Sequence, residues 1–476
     1  MNEKDIGAFH LSIMIIIDAI LINLGYFLAF KLKFVEIPLQ NYGDYIRLIP
    51  WIAILTVVFF RIYGLYNLKR KSFTDITFST ILSVIMIMVF TMALTFFFRG
   101  FAFPRSVFAI GAILHVGLVT FWKYLTLLLI KHLHGVQKVI MIGSKDEAFN
   151  IAQKFKDISS GWFETKYIME SDDINTIREA ISMVDIVCLC PGLSQELKSK
   201  VSVMALEKRK KILLIPDLYE VFLAKSIYTQ IDDKPVFELI DLTLTREQMA
   251  VKRFFDILVS VLGIIIASPI MVIIALLIKT TSPGPILYTQ ERVGLYGKTF
   301  KLYKFRTMID GAEKHTGPVL ATENDTRIIP VGRFLRSTRL DELPQLFNVL
   351  KGEMSLVGPR PERPFFVKQF KNENPHYKYR HIVKPGITGL AQVMGKYRTS
   401  VDDKLRYDLI YIRNYSFLQD LRIIFLTIKV VFVSDSSRGR DEIEEFDNTL
   451  LKEVQVLTND NIAAARDEYQ EMIYSD

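Results

Sequence analysis

The sequence predicts a membrane protein of mixed α and α/β class. We expect a four-helix transmembrane bundle, a Rossmann-like α/β insert, and a re-entrant membrane helix that leads into a largely helical domain. Half of the 476 residues are hydrophobic and the mean hydropathy is +0.25, which excludes a disordered chain. Four long apolar runs lie within residues 1–135, and a fifth begins at residue 257. The length predicts several folded units.

The four N-terminal apolar runs each approach the roughly 20 residues that a helix needs to cross a bilayer. Their charged residues are Asp18, Arg61 and Lys123. Hydropathy favours a bundle over residues 1–135 rather than four buried helices of a soluble core. The first run lacks a basic leader and a cleavage site, so we interpret it as an anchor. The runs are Leu11–Phe30, Leu48–Tyr66, Ile76–Phe98 and Ser106–Ile130.

Basic residues in the connecting loops predict the orientation. Lys69, Arg70 and Lys71 follow the second run, and Lys131 and Lys138 follow the fourth. Cytoplasmic loops of membrane proteins carry an excess of lysine and arginine. We therefore expect the N-terminus and everything after residue 135 on the cytoplasmic side.

Residues 136–245 alternate short apolar runs with polar, helix-like stretches, which predicts a small parallel α/β layer. The first turn contains one glycine, Gly143, where a dinucleotide fingerprint needs three. A Rossmann-like shape without an NAD site is expected, and a spacer or dimerisation module is the favoured role. The predicted strands are Val139–Ile142, Asp185–Cys190 and Lys211–Ile215.

The fifth apolar run, Ile257–Ile278, has basic residues on both sides, which predicts that both ends lie in the cytoplasm. Ser268 and Pro269 lie near its middle. Proline removes an amide donor inside a helix and clashes with the preceding turn. We predict a helix–break–helix over residues 246–282 that enters one leaflet and returns. An ordinary kinked span is the alternative.

Residues 283–400 carry 20 Lys and Arg against 10 Asp and Glu, so their excess of +10 is larger than the +8 of the whole chain. This charge favours an anionic partner, either a phosphate ligand or a membrane surface. Arginine matches phosphate oxygens with two donors, and lysine supplies a point charge. The sequence lacks a recognisable nucleic-acid-binding fold, so we expect no nucleic-acid partner. The two cysteines exclude a disulfide scaffold and a cysteine-rich zinc site, and with only seven scattered histidines we do not expect a His-based metal site.

Asp341 and Glu342 are adjacent within this basic region. Neighbouring side chains of a helix diverge by about 100°, so the two acids need not do the same work. One carboxylate can attack a phosphorus while the other holds a magnesium ion that neutralises a diphosphate. The surrounding arginines predict a lowered pKa for Asp341. An acid pair at a helix N-terminus is the structural alternative.

Six motifs follow one another between residues 251 and 434. They are Lys252-Arg253-Phe254-Phe255-Asp256, Ser268-Pro269, Lys304-Phe305-Arg306, Asp341-Glu342, Ser355-Leu356-Val357-Gly358-Pro359-Arg360-Pro361-Glu362 and Lys384-Pro385-Gly386-Ile387-Thr388-Gly389. With these motifs the chain resembles the bacterial sugar transferases, the monotopic phosphoglycosyl transferases. The preceding bundle and insert resemble the large, polyprenyl glycosylphosphotransferase branch, of the undecaprenyl-phosphate hexose phosphotransferase type.

The resemblance implies a two-step reaction on the cytoplasmic face of a bacterial inner membrane, catalysed by residues 283–434. Asp341 would attack a UDP-sugar, with UDP-glucose or UDP-galactose expected, and release UMP. Undecaprenyl phosphate would then accept the phosphosugar and start an exopolysaccharide, capsule or O-antigen repeat unit. Glu342 would bind Mg²⁺, and a homodimer is expected. The implied substrate-binding residues are Lys304, Arg306, Arg336, Pro359, Arg360, Pro361, Arg380, Gln392 and Asp408.

Two other classes of function stay open at this point. A metal-dependent glycosyltransferase would transfer the sugar without its phosphate, although the sequence lacks the Asp-x-Asp motif that such enzymes typically use. A membrane-tethered ligand sensor or scaffold would show no catalysis.

The end of the chain, residues 435–476, is predicted to be an acidic tail. Residues 441–476 contain 11 acids against Lys452 and Arg466. Such a run is typical of a solvated segment. A flap that competes for the basic face of the catalytic domain is the alternative.

Overall fold

The computed structural model describes residues 3–68, 71–98, 104–159, 162–171, 173–239, 241–312, 325–395, 399–432, 454–458, 461–462 and 464–467. Lys69 and Arg70 of the predicted orientation signal, and most of the predicted acidic tail, lie outside these residues. The chain divides into two compact units, one of Met1–Ile215 with Glu445–Asp476 and one of Pro216–Glu444.

Four long helices open the first unit, and each contains most of one N-terminal apolar run. They are α1 (Glu3–Lys33), α2 (Leu39–Ile62), α3 (Phe73–Phe97) and α4 (Arg105–His134). Both α1 and α3 pack against α2 and α4, which makes a four-helix bundle. All four are long and apolar enough to cross a membrane. The prediction of four long apolar helices is confirmed.

Two charged residues of the apolar runs meet inside this bundle. Lys123 Nζ lies 2.6 Å from Asp18 Oδ2, and both side chains are fully buried. Charges within membrane helices face the bundle interior and pair with one another because hydrocarbon does not solvate them. The pair therefore ties α1 to α4. His115 Nε2, 2.7 Å from the carbonyl oxygen of Ile22, joins the same two helices.

A five-stranded parallel sheet forms the second part of this unit. Its strands are β1 (Gln137–Ile142), β2 (Phe163–Met169), β3 (Ile186–Leu189), β4 (Lys211–Leu214) and β11 (Gln455–Leu457), in the spatial order β11-β2-β1-β3-β4. The connecting helices are α5 (Lys145–Ser159), α6 (Ile174–Ser182) and α7 (Gln195–Glu207). The predicted parallel α/β layer is confirmed.

Two strands of the sheet differ from the sequence prediction. The pattern does not predict β2, because three consecutive polar residues, Glu164, Thr165 and Lys166, interrupt its apolar run. β11 comes from the predicted acidic tail and adds to the outer edge of β2. Val454 and Leu457 are buried in the two hydrophobic clusters of the sheet. The interpretation as a solvated tail is therefore wrong for residues 454–458.

The second unit begins earlier than the predicted boundary at residue 245. Residues 216–245 form α8 (Leu218–Leu223) and an antiparallel hairpin of β5 (Ile227–Ile231) and β6 (Lys234–Glu238). Val221 of α8 is buried in one hydrophobic cluster with Leu405 and Leu409. Shared burial of these apolar side chains assigns residues 216–245 to the second unit.

The fifth apolar run lies in α9 (Arg246–Thr281), a helix of 36 residues. Thr245 and Gln248 form a capping box at its start, in which each side chain accepts from the other residue's backbone amide. The backbone stays helical through Ser268 and Pro269, so the predicted interruption is not found in α9. The helix is long and apolar enough to span a membrane. Insertion into one leaflet stays a prediction.

The remainder of this unit is mostly helical, as the sequence predicts. β7 (Leu287–Val293) and β8 (Thr299–Phe305) form an antiparallel hairpin, and β9 (Ser355–Val357) pairs in parallel with β10 (Gly386–Thr388). The helices are α10 (Pro330–Ser337), α11 (Gln345–Lys351), α12 (Pro364–Glu373), α13 (Leu390–Met394), α14 (Val401–Arg413) and α15 (Phe417–Phe432).

The β9–β10 pair is packed so closely that glycine is required beside it. A Cβ on Gly358 would lie 2.4 Å from the carbonyl oxygen of Lys384, and one on Gly389 would lie 2.2 Å from that of Gly358. These contacts are too short for any side chain. These close contacts explain why the motifs Ser355–Glu362 and Lys384–Gly389 contain glycine at these positions. The packing of the two motifs against each other fixes the loop that carries Arg360.

The motif at the start of α9 ties this helix to the rest of the unit. Lys252 Nζ lies 2.6 Å from Asp420 Oδ2, and the hydroxyl of Tyr411 donates to Asp420 Oδ1 at 2.7 Å. Asp256 Oδ1 accepts hydrogen bonds from the Ser355 hydroxyl and the Leu356 amide, each 3.0 Å long. The buried charges in this region are thus paired or hydrogen-bonded.

Candidate active site

Asp341 and Glu342 lie in a single 3₁₀ turn, Leu340–Glu342, between α10 and α11. The turn follows Arg339, whose φ of 60° is in the left-handed region that non-glycine residues rarely adopt. Both acidic side chains are buried. Local strain of this kind persists where the surrounding structure enforces it, often at functional sites. The turn holds two adjacent carboxylates in a fixed position.

Glu342 accepts from two cations of separate motifs. Lys304 Nζ and Arg360 Nη2 lie 2.7 and 3.0 Å from Glu342 Oε1. Burial acts to raise the pKa of Glu342, but the positive charges of Lys304 and Arg360 outweigh it and hold that pKa well below its usual range. The Glu342 carboxylate therefore stays ionised. The structure brings these three predicted site residues together.

For the pKa of Asp341, burial outweighs the neighbouring positive charges, which is the reverse of the result for Glu342. Burial raises the pKa of Asp341 above its ordinary value of 3.8, Lys304, Arg339 and Arg336 oppose the rise, and the negative charge of Glu342 adds to it. The prediction of a lowered pKa is therefore wrong, because desolvation outweighs the nearby cations. Asp341 Oδ1 is buried and has no hydrogen-bond partner among the described residues. This oxygen is available to bond another group.

Arg360 lies in the loop after β9, flanked by two prolines. Pro359 and Pro361 line a small cavity together with Arg360 and Arg380. The Arg360 side chain is 35% exposed, so its guanidinium can meet a ligand that enters from solvent. Arg380 Nη2 donates to the carbonyl oxygen of Arg360 at 2.9 Å and lies 2.8 Å from Asp408 Oδ2. Four predicted substrate-binding residues thus line one cavity, and a fifth, Asp408, contacts it only through its pairing with Arg380.

Two other predicted site residues contact main-chain groups. The guanidinium of Arg306 donates to the carbonyl oxygens of Pro283 and Ser282, at 2.6 and 2.8 Å, and is buried. Gln392 Nε2 donates to the carbonyl oxygen of Ile387 at 3.1 Å. Both side chains hold backbone segments of the second unit in place.

Arg336 lies in the last turn of α10 and is partly buried. Its positive charge acts on Asp341 and on Asp325. Sequence reasoning does not single out Arg339, whose charge acts on both members of the acidic pair. Its position two residues before Asp341 was the available signal.

The implied metal is magnesium, with Glu342 as its predicted ligand. Among the described residues, no group of three or more His, Cys, Asp and Glu could hold a metal ion. Magnesium usually takes only one or two carboxylates and completes its shell with substrate phosphates and water. Lys304 and Arg360 both contact Oε1 of Glu342, so the contacts of these two cations do not occupy Oε2. One carboxylate oxygen of the ionised Glu342 fits magnesium when a phosphate ligand and water complete its shell.

Comparison with known proteins identifies the family to which the chain belongs. The model of the family described as "Bacterial sugar transferase" matches residues 247–434. An exopolysaccharide production protein, PSS, of Rhizobium leguminosarum is 40% identical over 201 residues, which are 40% of this chain and 98% of that protein. The chain belongs to the bacterial sugar transferase family. The resemblance predicted from the six motifs is confirmed.

Two longer relatives of this sugar transferase are named for lipid-linked sugar transfer. A UDP-glucose:undecaprenyl-phosphate glucose-1-phosphate transferase of Klebsiella pneumoniae is 40% identical over 298 residues, 61% of this chain and 63% of that protein. A UDP-N-acetylgalactosamine-undecaprenyl-phosphate N-acetylgalactosaminephosphotransferase of Aeromonas hydrophila is 48% identical over 191 residues, 40% of this chain and 45% of its own. The chain thus spans less than two thirds of either relative.

Proposed function

We propose that this sugar transferase moves a sugar-1-phosphate from a UDP-sugar to undecaprenyl phosphate and releases UMP. The observation that carries the proposal is the buried oxygen of Asp341 that has no hydrogen-bond partner among the described residues, beside Glu342, Lys304 and Arg360. The relatives' names support the substrate class. UDP-glucose and UDP-galactose are the proposed donors, since another relative, of Salmonella typhimurium, is named an undecaprenyl-phosphate galactose phosphotransferase.

In the first step, a carboxylate oxygen of Asp341 attacks the phosphorus that carries the sugar. The new bond joins Asp341 to that phosphorus, the bond to the bridging oxygen breaks, and UMP leaves with the electron pair. Phosphoryl transfer depends mainly on positioning and on neutralising the phosphate oxygens. Lys304 and Arg360, which lie beside the dyad, supply that positive charge.

In the second step, a phosphate oxygen of undecaprenyl phosphate attacks the same phosphorus. The bond to Asp341 breaks and the free carboxylate returns, so the product is undecaprenyl-diphosphate-sugar. A covalent intermediate lets a soluble donor and a lipid acceptor use one site in turn. The product would begin an exopolysaccharide, capsule or O-antigen repeat unit.

Glu342 is the proposed ligand of Mg²⁺, through the oxygen that Lys304 and Arg360 leave unbonded. When bound, the metal neutralises charge on the diphosphate. The ionised state of Glu342, supported by its lowered pKa, suits this role.

The proposed location is the inner membrane of a bacterium, with the catalytic domain on the cytoplasmic face. The five apolar helices support attachment to a membrane. A re-entrant α9 would keep the site on the same side as the UDP-sugar, at the depth of lipid headgroups. The homodimer is a further proposal.

The test supplies the detergent-purified chain with a panel of UDP-sugars, undecaprenyl phosphate and Mg²⁺. We expect UMP with at least one hexose donor, together with a lipid-linked phosphosugar. Release of UDP would instead indicate a glycosyltransferase that transfers the sugar alone. If no donor gives either nucleotide, the catalytic proposal is wrong and a sensor or scaffold is favoured.

A further inference from the structure

We propose that Asp408 and Arg380 are positioning residues that hold Arg360 beside Glu342, and that they are not ligands of the substrates. Sequence resemblance assigns all three to substrate binding, but their surroundings differ. Arg360 is partly exposed, whereas Arg380 and Asp408 are almost completely buried. The inference rests on the proposed function, because its effect is read through catalysis.

The guanidinium of Arg380 is engaged on several sides by this chain. Nη2 lies 2.8 Å from Asp408 Oδ2 and donates to the carbonyl oxygen of Arg360 at 2.9 Å. Nη1 donates to the hydroxyl of Tyr377, and Cζ lies 4.9 Å from the centre of the Tyr377 ring. These contacts use the planar face and both terminal nitrogens of the guanidinium. Only Nε lacks a hydrogen bond to the described residues, and because it is buried, Arg380 is poorly placed to bind a phosphate.

The contact with Arg360 is made through its backbone. Arg380 holds the carbonyl oxygen, while the Arg360 side chain reaches Glu342 Oε1 at 3.0 Å. Fixing the backbone at this point limits where the guanidinium of Arg360 can lie. The neighbouring prolines, Pro359 and Pro361, further restrict the loop.

Asp408 stabilises Arg380 in that position. A buried guanidinium without a counter-charge is unfavourable, so loss of the Asp408 charge would displace Arg380. Glu362 and Lys404, which have opposite signs, also act on Asp408. The chain of contacts thus runs from Asp408 through Arg380 to Arg360 and Glu342. A displacement of about 1 Å at a catalytic group can reduce the rate by about 10²-fold.

A double-mutant cycle on the full-length protein tests this inference. Asp408→Asn alone should lower kcat/KM for the UDP-sugar by about 10- to 100-fold. Arg360→Gln should lower it at least as much. If Asp408 acts through Arg360, the double variant should be no more than about 3-fold slower than Arg360→Gln, because coupled residues are not additive. Losses that multiply would mean that Asp408 acts independently, and would overturn the proposal.

Two further variants separate positioning from a general loss of structure. Asp408→Glu keeps the charge and should recover part of the activity that Asp408→Asn loses. Asp403→Asn is the matched control, since Asp403 lies on the same helix and pairs with Arg406 at 2.7 Å in a more exposed position. It should change kcat/KM by less than about 2-fold, in line with the small value of exposed ion pairs.

The outcomes also separate this inference from the proposed function. If the unmodified protein releases no UMP from any donor, the proposed function fails and this inference fails with it. If the unmodified protein is active and the cycle is additive, only the positioning role is wrong. Should Asp408→Asn not fold, the same cycle is run with Arg380→Lys, and additivity there has the same meaning. An Asp408→Asn protein with full activity would also overturn the proposal.

Discussion

Two motifs of the second unit bury carboxylates in different ways. At the start of α9, Asp256 accepts two hydrogen bonds through Oδ1, and Asp420 is paired with Lys252 and with the hydroxyl of Tyr411. In the turn before α11, Oδ1 of Asp341 is buried with no partner among the described residues. The first arrangement satisfies its carboxylates within the fold, whereas the second leaves one carboxylate oxygen of the proposed nucleophile without a partner among the described residues.

Charge and burial alone therefore do not separate the proposed nucleophile from carboxylates that stabilise the fold. Both regions hold buried acids beside basic side chains, and both belong to motifs that mark this family. In the α9 motif, the donors are directed at the carboxylates. In the dyad, the cations contact Glu342, and Asp341, the proposed nucleophile, has one oxygen without a hydrogen bond to any residue that the structure describes.

The largest expected effect is that of Asp341→Asn. This change removes the proposed nucleophile, so UMP release should fall by about 10³-fold or more. The melting temperature should be unchanged or higher, because a neutral amide is less costly to bury than a carboxylate. Initial rates of UMP release and thermal unfolding check the two parts. Substantial turnover by the variant would mean that another residue attacks the donor.

Glu342→Gln should reduce kcat by about 10²-fold, because it removes the charge that organises the site. The Mg²⁺ concentration needed for half-maximal activity should rise. A metal titration identical to that of the unmodified protein would remove Glu342 as a ligand.

The pH dependence sharpens the contrast between the two acids. As the proposed nucleophile, Asp341 has to be ionised, so activity should be lost as the pH falls through its pKa, which burial raises above 3.8. Glu342 contributes to that rise, and its own pKa is lowered. The acidic limb of the kcat/KM profile should therefore move to lower pH in Glu342→Gln. A limb that stays in place would contradict the electrostatic coupling of the pair.

Asp256→Ala should act on stability rather than on chemistry. It leaves the Ser355 hydroxyl and the Leu356 amide buried without their acceptor, at a cost of about 1–3 kcal/mol in the free energy of unfolding. Chemical denaturation in detergent measures this loss. Glu373→Ala, at an exposed position, is the control. Equal stability of the two variants would show that Asp256 does not anchor α9.

The smallest effect is expected at the start of α9. Thr245→Ala removes half of the capping box and should lower the free energy of unfolding by about 1 kcal/mol. Thr245→Ser keeps a hydroxyl that can accept the same hydrogen bond, so it should retain most of that stability. A loss of the same size in both variants would contradict the capping role.

Much of the architecture could be predicted from composition, because long uncharged runs such as Ile76–Phe98 can only be buried in a membrane or a core. Strands built from polar residues or from distant segments could not. β2 contains Glu164 and Lys166, and β11 joins the sheet from almost 300 residues away, where no local pattern records the pairing. The exact end of the α/β insert could not be predicted from the sequence either, because it depends on which of the two hydrophobic cores buries Val221.

The residues of the site were predictable as a set, whereas their individual roles were not. The sequence motifs predict Lys304, Glu342 and Arg360 as site residues, and in the structure both cations contact Glu342. Sequence cannot tell that Arg380 is buried while Arg360 is partly exposed, because burial depends on tertiary packing. For the same reason it predicts the wrong direction for the pKa of Asp341.

The most direct test of the proposed mechanism is the intact mass of the purified protein after incubation with a UDP-sugar, without lipid acceptor. We predict that a fraction of the protein gains the mass of one hexose phosphate, that the adduct maps to the peptide containing Asp341, and that adding undecaprenyl phosphate removes it. If UMP forms while the protein never carries such an adduct, or if the adduct maps to another residue, Asp341 is not the nucleophile.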